Sequence, residues 1–576
     1  MFLNPISRRT FFAFSGVTGL ASTTNISLAR TSSQPSEPYK NQETKVRSFI
    51  SDLYTDEQKY AASATDNNSS LKPLIVILLP GVYHNLDRTA KLCEQCVGYL
   101  KDAGESAVVI IPGGRGNGSV FQGYGQIDVF EAIKNVSTIY AIDKDRISVM
   151  GGSMGGAATW YMTSHYPDFF SAAAPFAGYC DYRLWKKPGG DIFPLKDWEE
   201  FSWKSRSASD CVENYCNTSV WILHGEWDRS IGGGVDVIHS RTMAEKFKTL
   251  DLNYKYSELK GRGHNAFDSK AEYFKEVVLW LIQQKRVTYP KKVKLVCHEL
   301  RYNKNNFISI EQLTKYGEPG YVEAEFMNDG SLIIKSKNVR SLLIAPLSDR
   351  GKATLNIDND RFEKLDLTKQ KTLLIKKTSS WEISPAETIP VNEKHNGASG
   401  PFSDIFFERT AVLYGTNGSE AENHILEQMG TNAVGFYNQW NGGVHRGVIK
   451  GENEVPMPVI KDKDSTDKIE QNYNLFCIGT PENNSLLKKY IDRLPIEFKA
   501  GEIIVGGKSF KGKDVAVITV LPHPENPKRY IGVLGGVTFD AISWASHLNL
   551  ALLPDYLVFD RDTVIEWGFF DNNWKI

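Results

Sequence analysis

The segment RISVMGGSMGG, residues 146–156, constrains the fold of this chain more than any other feature. It reads as a short apolar strand, then Gly-x-Ser153-x-Gly, then a helix that begins near Ala157. Small residues on either side of the serine let strand and helix approach each other without a clash. The turn strains the serine backbone, leaves the hydroxyl at the edge of a sheet and aims the amide of Met154 at the same spot. The segment therefore predicts a nucleophile elbow.

Strands and helices alternate on both sides of this turn. The predicted strands are residues 74–79, 107–111, 147–150, 170–175, 220–223 and 254–259, and the predicted helices are 88–100, 129–139, a segment from 157, 235–250 and 271–284. A continuous apolar run such as Leu74–Leu79 is typical of a strand buried on both faces. The alternation predicts a parallel, doubly wound α/β sheet.

A serine hydroxyl is a poor nucleophile near neutral pH. It needs a base within hydrogen-bond reach, and that base needs an orienting carboxylate. Asp228 lies just past the predicted strand 220–223, with Glu226 as a nearby rival, and His264 follows the last predicted strand. The three residues predict a Ser153–His264–Asp228 triad, and His224, at the end of a strand, is expected to be structural.

From about residue 74 to 284 the chain resembles the α/β-hydrolase fold. The resemblance rests on residues 141–156, on LHGEWD at 223–228 and on GRGH at 261–264, and it is greatest to prolyl-oligopeptidase-type and feruloyl or acetyl-xylan esterase-like enzymes. In this fold the chain order is serine, acid, histidine. Asp228 fits the Gly-x-x-Asp pattern of these enzymes better than Glu226 does. The resemblance implies acyl transfer through a covalent acyl-enzyme.

The same fold implies an oxyanion hole. Its first amide is that of Met154, and the second comes from Val82 or Tyr83, in the loop after strand 74–79. One such donor contributes about 3 kcal/mol to transition-state stabilisation. His84, in the same loop, is a candidate contact for the substrate.

Residues 179–210 are longer than a plain crossover between two strands and are rich in aromatic side chains. Trp185, Trp198 and Trp203 are candidates for stacking on a sugar or a phenolic group. The alternative is that these rings form the small core of the insertion itself.

The remaining segments divide the chain further. Residues 1–29 contain SRRTFF at 7–12 and resemble a twin-arginine signal peptide, which implies a bacterial periplasmic or secreted protein; their apolar stretch is too short and polar for a stable membrane span. Residues 30–70 are expected to be a polar tether with a short helix near 46–53. Residues 71–286 form the predicted catalytic domain, 287–390 a small β-rich module, and 391–576 a C-terminal α/β domain of unassigned role. In that domain, two strand-Gly-Thr-helix units are expected to be tight turns and caps rather than anion sites.

Net charge and cysteine content limit the kinds of binding partner, disulfide and metal site that we expect. A net charge of −1 over 576 residues gives no electrostatic case for nucleic acid or an anionic membrane as partner. Of seven cysteines one must stay unpaired, and Cys211 and Cys216 are close enough in sequence for one bridge. No Cys/His spacing indicates a metal site, and no cofactor is expected.

Three functions fit these observations. The first is a secreted serine esterase that removes an ester decoration from a polysaccharide or oligosaccharide. The second is a serine peptidase of the prolyl-oligopeptidase type, which is disfavoured because only about forty residues separate the export signal from the first predicted strand, where such enzymes carry a large β-propeller. The third is a glycan-binding protein on a hydrolase scaffold, which the retained Ser153, Asp228 and His264 disfavour.

Overall fold

An eight-stranded sheet underlies the first half of the molecule. In this computed structural model, residues 45–66, 68, 70–79, 86–115, 121–184, 196–347, 351–368, 370–386, 388–440 and 455–576 are described. The predicted signal peptide, Val82, Tyr83, His84 and Trp185 lie outside these residues.

The strands of this sheet are β1 (Lys45–Ile50), β2 (Glu57–Ala64), β3 (Lys72–Leu78), β4 (Val108–Pro112), β5 (Ile142–Gly152), β6 (Ala172–Phe176), β7 (Ser219–Gly225) and β8 (Tyr254–Leu259). Their spatial order is β1-β2-β4-β3-β5-β6-β7-β8. Strand β2 pairs antiparallel with both neighbours, whereas every pair from β4 to β8 is parallel. The predicted mostly parallel, α/β-hydrolase-like sheet is confirmed.

Helices cover both faces of this sheet. They are α1 (Leu86–Asp102), α2 (Tyr124–Val136), α3 (Met154–His165), α5 (Ile238–Thr249) and α6 (Glu272–Gln283), whereas the short helix α4 (Glu200–Arg206) lies in the insertion between β6 and β7. Every residue of β3 is buried, as its continuous apolar run predicts. One apolar core packs α2, α3 and α5 against the sheet and the other packs α1 and α6 against the opposite face, so the sheet is doubly wound.

The tether and the helix expected before residue 71 are wrong for residues 45–64. These residues form β1 and β2, a hairpin on the edge of the sheet. The sequence misled because the buried positions of β2 are mostly alanine and serine, which carry little hydrophobic signal, and β1 is half exposed. Burial of Tyr60, which donates to Asn135 Oδ1 on α2 at 2.7 Å, fixes the hairpin to the domain.

The region after α6 contains two five-stranded sheets around one apolar core. The strands are β9 (Lys292–Cys297), β10 (Lys304–Asn305), β11 (Ile308–Leu313), β12 (Gly320–Phe326), β13 (Leu332–Lys337), β14 (Val339–Ile344), β15 (Lys352–Ile357), β16 (Asp360–Asp366), β17 (Thr372–Lys377) and β18 (Ser380–Ile383). All pairs are antiparallel except β13 with β15. The alternation of buried and half-exposed residues along β12 shows why period-two patterning identified this region.

The last region has a seven-stranded mixed sheet and a separate three-stranded sheet. The strands are β19 (Thr410–Tyr414), β20 (Val459–Lys461), β21 (Asn474–Ile478), β22 (Ile496–Lys499), β23 (Glu502–Val505), β24 (Lys508–Lys511), β25 (Val515–His523), β26 (Asn526–Gly536), β27 (Tyr556–Asp560) and β28 (Thr563–Gly568). The helices are α7 (Glu420–Trp440), α8 (Asp467–Asn472), α9 (Ser485–Tyr490) and α10 (Phe539–Ser543). The two strand-Gly-Thr-helix units are β19 to α7 and β21 to α9, on adjacent parallel strands.

The last region packs directly on the first. In the turn between β1 and β2, the Tyr54 hydroxyl accepts a hydrogen bond from the amide of Thr410 at 2.9 Å. The Arg409 guanidinium donates to the carbonyl of Asp52 at 2.6 Å. Phe407 belongs to the apolar core of the eight-stranded sheet. The described regions thus share buried contacts.

Two further expectations concern cysteines and membranes. Cys211 and Cys216 are free thiols, so the bridge that their spacing allows is not formed. The Cys216 sulfur instead accepts a hydrogen bond from the amide of Lys294 on β9 at 3.3 Å. Among the described residues, no helix has both the length and the hydropathy needed to cross a bilayer.

Candidate active site

Ser153 lies in the turn between β5 and α3 with a strained backbone. Its φ of 58° and ψ of −118° are unusual for a residue with a side chain. The amide of Ser153 donates to the carbonyl of Phe176 at 2.9 Å, and its carbonyl accepts from the amide of Ala157 at 2.9 Å. These two bonds hold the turn between the neighbouring strand and the new helix, as a nucleophile elbow requires.

Two glycines make the turn possible. A Cβ added to Gly151 or Gly155 would overlap the carbonyl oxygen of Leu78 on β3. The helix can therefore pack against the sheet only because both positions lack a side chain. This is the physical reason for the Gly-x-Ser-x-Gly spacing in this chain.

The structure brings Ser153, His264 and Asp228 together from three separate loops. The Ser153 hydroxyl lies 2.7 Å from His264 Nε2, and His264 Nδ1 lies 2.8 Å from Asp228 Oδ2. The Asp228 side chain is 1% exposed, whereas that of His264 is 34% exposed. Because a carboxylate only accepts hydrogen bonds, Nδ1 carries the proton and Nε2 is free to accept from the serine.

Glu226, the rival acid, is used elsewhere. One of its carboxylate oxygens accepts a hydrogen bond from the amide of Gly261 at 3.1 Å. This bond ties the loop after β7 to the loop that carries His264. The geometry therefore favours Asp228 as the partner of the histidine.

The Asp228 carboxylate stays ionised despite its burial. Burial alone would raise its pKa, but hydrogen bonds from His224 and His264 outweigh that effect, so the pKa of Asp228 lies below its ordinary value. Oδ1 also accepts from the amide of Val235 at 3.1 Å. A stable negative charge at this position favours the imidazolium that forms on His264 during proton transfer.

Met154 is the first residue of α3. The first amides of a helix have no acceptor within the helix, and the helix dipole places partial positive charge there. The Met154 amide is thus available to an oxyanion formed next to Ser153. The second predicted donor, Val82 or Tyr83, and the predicted substrate contact His84 lie outside the described residues.

The aromatic insertion is only partly open to a ligand. Trp203 is 5% exposed, and it belongs to a buried cluster with Ala157, Tyr179, Tyr182, Val235 and Leu552. Trp203 is covered by other side chains and therefore cannot contact substrate in this structure. It packs in a small core, the alternative that the sequence left open. Trp198 is half-buried against the core of the last region, with the Lys196 ammonium 5.1 Å from its ring. Trp185 lies outside the described residues.

Sequence reasoning missed two contributors to this site. His224 donates to the same carboxylate as His264, and no motif separates such a histidine from an ordinary buried one. Leu552 reaches the cluster behind the site from nearly 400 residues further along the chain than Ser153. No local pattern reports a contact of that kind.

Comparisons with known proteins give one family match and several more distant similarities. The sequence profile of the prolyl oligopeptidase family matches residues 115–286, a range that contains Ser153, Asp228 and His264. An "Uncharacterized secreted protein" of Arthroderma benhamiae is 27% identical over 235 residues, which cover 38% of this chain and 24% of that relative. The chain thus spans about a quarter of the length of this curated relative.

Solved structures show lower similarity. A thermostable esterase is 20% identical with a TM-score of 0.32, covering 42% of this chain and 64% of that one. Porphyromonas gingivalis dipeptidyl peptidase 4 is 16% identical with a TM-score of 0.33, covering 43% of this chain and 36% of that one. The family match and the described geometry support an α/β-hydrolase-like fold and serine hydrolase chemistry in the first half of the chain.

Proposed function

We propose that this protein is a serine hydrolase that cleaves a carboxylic ester through an acyl-enzyme intermediate. The observation that carries the proposal is the unbroken hydrogen-bond chain from Ser153 through His264 to the buried Asp228. A binding protein on the same scaffold has no use for a strained serine paired with an oriented base.

The mechanism follows from the positions of these groups. His264 Nε2 takes the proton as Ser153 Oγ attacks the acyl carbon, and Asp228 stabilises the resulting imidazolium. The amide of Met154, with an amide from Val82 or Tyr83, donates a hydrogen bond to the acyl oxygen and stabilises the negative charge that develops there. His264 then protonates the leaving alcohol. Water attacks the acyl-enzyme in a second cycle with the same proton transfers.

We infer that the substrate is an ester on a sugar or a phenolic compound. Trp227 directly precedes Asp228 and is 65% exposed, an unusual state for a tryptophan in a folded protein. A Cβ on Gly261 would lie 3.9 Å from its ring, so the indole stands beside the loop that carries His264. A planar exposed ring beside the loop of the base suits stacking on a sugar face or a phenolic ring. A peptide bond is the second candidate, because the matching family is named for an oligopeptidase.

Two measurements test the chemistry and the substrate class. A fluorophosphonate should form a covalent adduct on Ser153, located by mass spectrometry of the digested protein. The ratio kcat/KM should be higher on an acetylated or feruloylated oligosaccharide than on a prolyl or dipeptidyl amide. A higher value on the amide would reverse the substrate assignment, and labelling at another residue would overturn the catalytic one.

We also propose that the protein is exported in a folded state. The Arg8-Arg9 pair supports this, and the relative from Arthroderma benhamiae is named a secreted protein. Replacing both arginines with lysine should leave the precursor in the cytoplasm of a bacterial host, as judged by fractionation. Normal export of that variant would show that the motif is incidental.

A further inference from the structure

A second histidine binds the carboxylate that orients His264. His224 lies at the end of β7 and is completely buried. Its Nε2 is 3.1 Å from Asp228 Oδ2, the same oxygen that His264 Nδ1 contacts at 2.8 Å. We propose that His224 is a positioning residue for catalysis, which holds Asp228 Oδ2 in the plane and direction that His264 requires. This inference rests on the proposed serine hydrolase function.

The hydrogen-bond partners fix the protonation of the His224 ring. Nε2 lies 2.9 Å from the carbonyl oxygen of Val235 as well as near Asp228, and both of these partners only accept. Nε2 therefore carries a proton, and the two acceptors share it. On the other side of the ring, Nδ1 lies 2.7 Å from the Ser240 hydroxyl, which can donate. In the Nε2–H form, both ring nitrogens of His224 therefore have a hydrogen-bond partner.

These contacts extend the triad into a chain of five side chains. It runs from Ser240 on α5 through His224, Asp228 and His264 to Ser153. Each link has one chemically sensible donor direction when His264 carries its proton on Nδ1. The Ser240 hydroxyl, on a helix packed against the sheet, contacts the ring nitrogen of His224 that faces away from the carboxylate.

The hydrogen bond from His224 to Asp228 distinguishes a positioning residue from one that only fills the core. Asp228 accepts three donors, namely the rings of His224 and His264 and the amide of Val235. Without His224, Oδ2 keeps only His264 among its described partners, and the carboxylate can rotate about its Cβ–Cγ bond toward other orientations. Rotation misaligns the base without removing any group that touches substrate. The expected loss is therefore in kcat, with little change in KM.

The experiment compares two replacements at position 224. In His224→Leu the donor is lost, and kcat on a small aryl ester should fall by about 10- to 100-fold, the usual effect of removing a group that orients a catalytic ligand. In His224→Gln the amide nitrogen lies the same number of bonds from Cβ as Nε2 of histidine, so it can donate to Asp228 and should restore most of the activity. Ser240→Ala removes the partner of Nδ1 but keeps the Nε2 donor, so it should give a smaller loss than His224→Leu.

A matched control separates positioning from stability. His165 is also a buried histidine, bonded to the carbonyls of Tyr161 and Ser205 at the far end of α3 from Ser153. His165→Leu should lower the melting temperature as His224→Leu does, yet keep kcat near that of the unmodified protein. The downfield proton NMR signal of His264 Nδ1–H should weaken or shift in His224→Leu alone.

The outcomes are distinct. Equal kcat for His224→Leu and unmodified protein would overturn the positioning role, provided that the proposed nucleophile labels with fluorophosphonate. Failure of Gln to exceed Leu would also overturn it, since a role in orientation requires the donor. If Ser153 does not label at all, the proposed function has failed, and the inference falls with it.

Discussion

Two regions of this molecule both contain a sheet whose strands lead through tight turns into helices. The polar side chains at these turns have different hydrogen-bond partners in the two regions. In the eight-stranded sheet, the turn after β5 presents Ser153 to a base from another loop. In the seven-stranded sheet, the polar side chains in the turn after β21 bind backbone amides of the same turn and of the helix that follows. Asn483 Oδ1 accepts from the amide of Thr480 at 2.7 Å, and Asn484 Oδ1 accepts from the amide of Leu487 at 2.9 Å as the cap of α9.

The acidic residues differ in the same way. Asp228 accepts from His264, which contacts the candidate nucleophile. Asp462, equally buried, accepts from the Thr416 hydroxyl at 2.6 Å and from the amide of Ser485 at 2.6 Å. Its oxygens hold a turn and a helix end. Both carboxylates bond outside their own turn, and what differs is the partner: Asp228 binds a histidine that contacts a candidate nucleophile, whereas Asp462 binds groups of other turns.

The largest expected effect comes from replacing the two buried aspartates, Asp228 and Asp462, one at a time. Asp228→Asn should lower kcat about 10,000-fold while the protein stays folded, because an amide favours the wrong tautomer of His264. Asp462→Asn in the other sheet should leave kcat unchanged and lower only the melting temperature. Comparable turnover of the two variants on an aryl ester would show that Asp228 is not the orienting acid.

The next effect concerns backbone space. Gly155→Ala should prevent the elbow from packing on β3, since the new Cβ would overlap the Leu78 carbonyl, and most activity and several kcal/mol of stability should be lost. Gly98→Ala on α1 is the matched substitution, because a Cβ there meets nothing within 4 Å. It should stabilise the protein by about 0.5–1 kcal/mol. Chemical denaturation of both variants measures the difference, and similar midpoints would contradict the steric explanation.

A smaller effect tests whether the two regions are independent. Leu552 is buried in the cluster with Ala157, which bonds to Ser153, and Val235, which bonds to Asp228. Leu552→Ala should destabilise the protein by about 2–5 kcal/mol and also lower kcat on a small ester.

Leu548→Ala, in the same segment but outside that cluster, should destabilise without lowering kcat. If kcat responds equally to both substitutions, or to neither, the cluster has no specific link to the site.

The smallest effect concerns a buried carboxyl group with one oxygen that accepts no hydrogen bond among the described residues. Asp128 on α2 is fully buried, and its Oδ1 meets no hydrogen-bond donor among the described residues. Burial raises its pKa to about 7, against a lowering by the amide of Gly114 and the charge of Arg115. Because the folded pKa exceeds the unfolded one, the folded state binds more protons between about pH 4 and 7, and stability falls as pH rises through this window.

Asp128→Asn removes this titration. The difference in melting temperature between pH 5 and pH 8 should therefore become smaller than in the unmodified protein. An unchanged difference would show that Asp128 is ionised in the folded protein throughout that range.

The parts of the fold that the sequence predicted are those with strong local signals. Strand β3 is apolar throughout, and the elbow glycines mark a close approach that only they permit. Strands β1 and β2 were missed because an edge hairpin rich in alanine and polar residues has no such signal. For Trp203 the sequence leaves two roles open, stacking on substrate or packing in the core of the insertion, and its burial against Leu552, far along the chain, agrees with the second.

The same limit applies within the candidate site. The order of Ser153, Asp228 and His264 is readable, because each follows a strand whose carboxyl end meets the same edge of the sheet. The link from Ser240 through His224 depends on how α5 packs beside β7, which no spacing in the sequence encodes.

The hydrogen bond between Tyr54 and Thr410 has a consequence for how the protein is made. The two residues are 356 positions apart. At ribosomal speeds of about 5–20 residues per second, the turn that carries Tyr54 waits roughly 20–70 seconds for this partner to be synthesised. Contacts of such long range also slow the final folding step. Strand β2 can pair with β4 long before then, so it is the turn at residues 51–56 that stays uncovered until the last third of the chain has left the ribosome, and chaperone binding during translation is expected there.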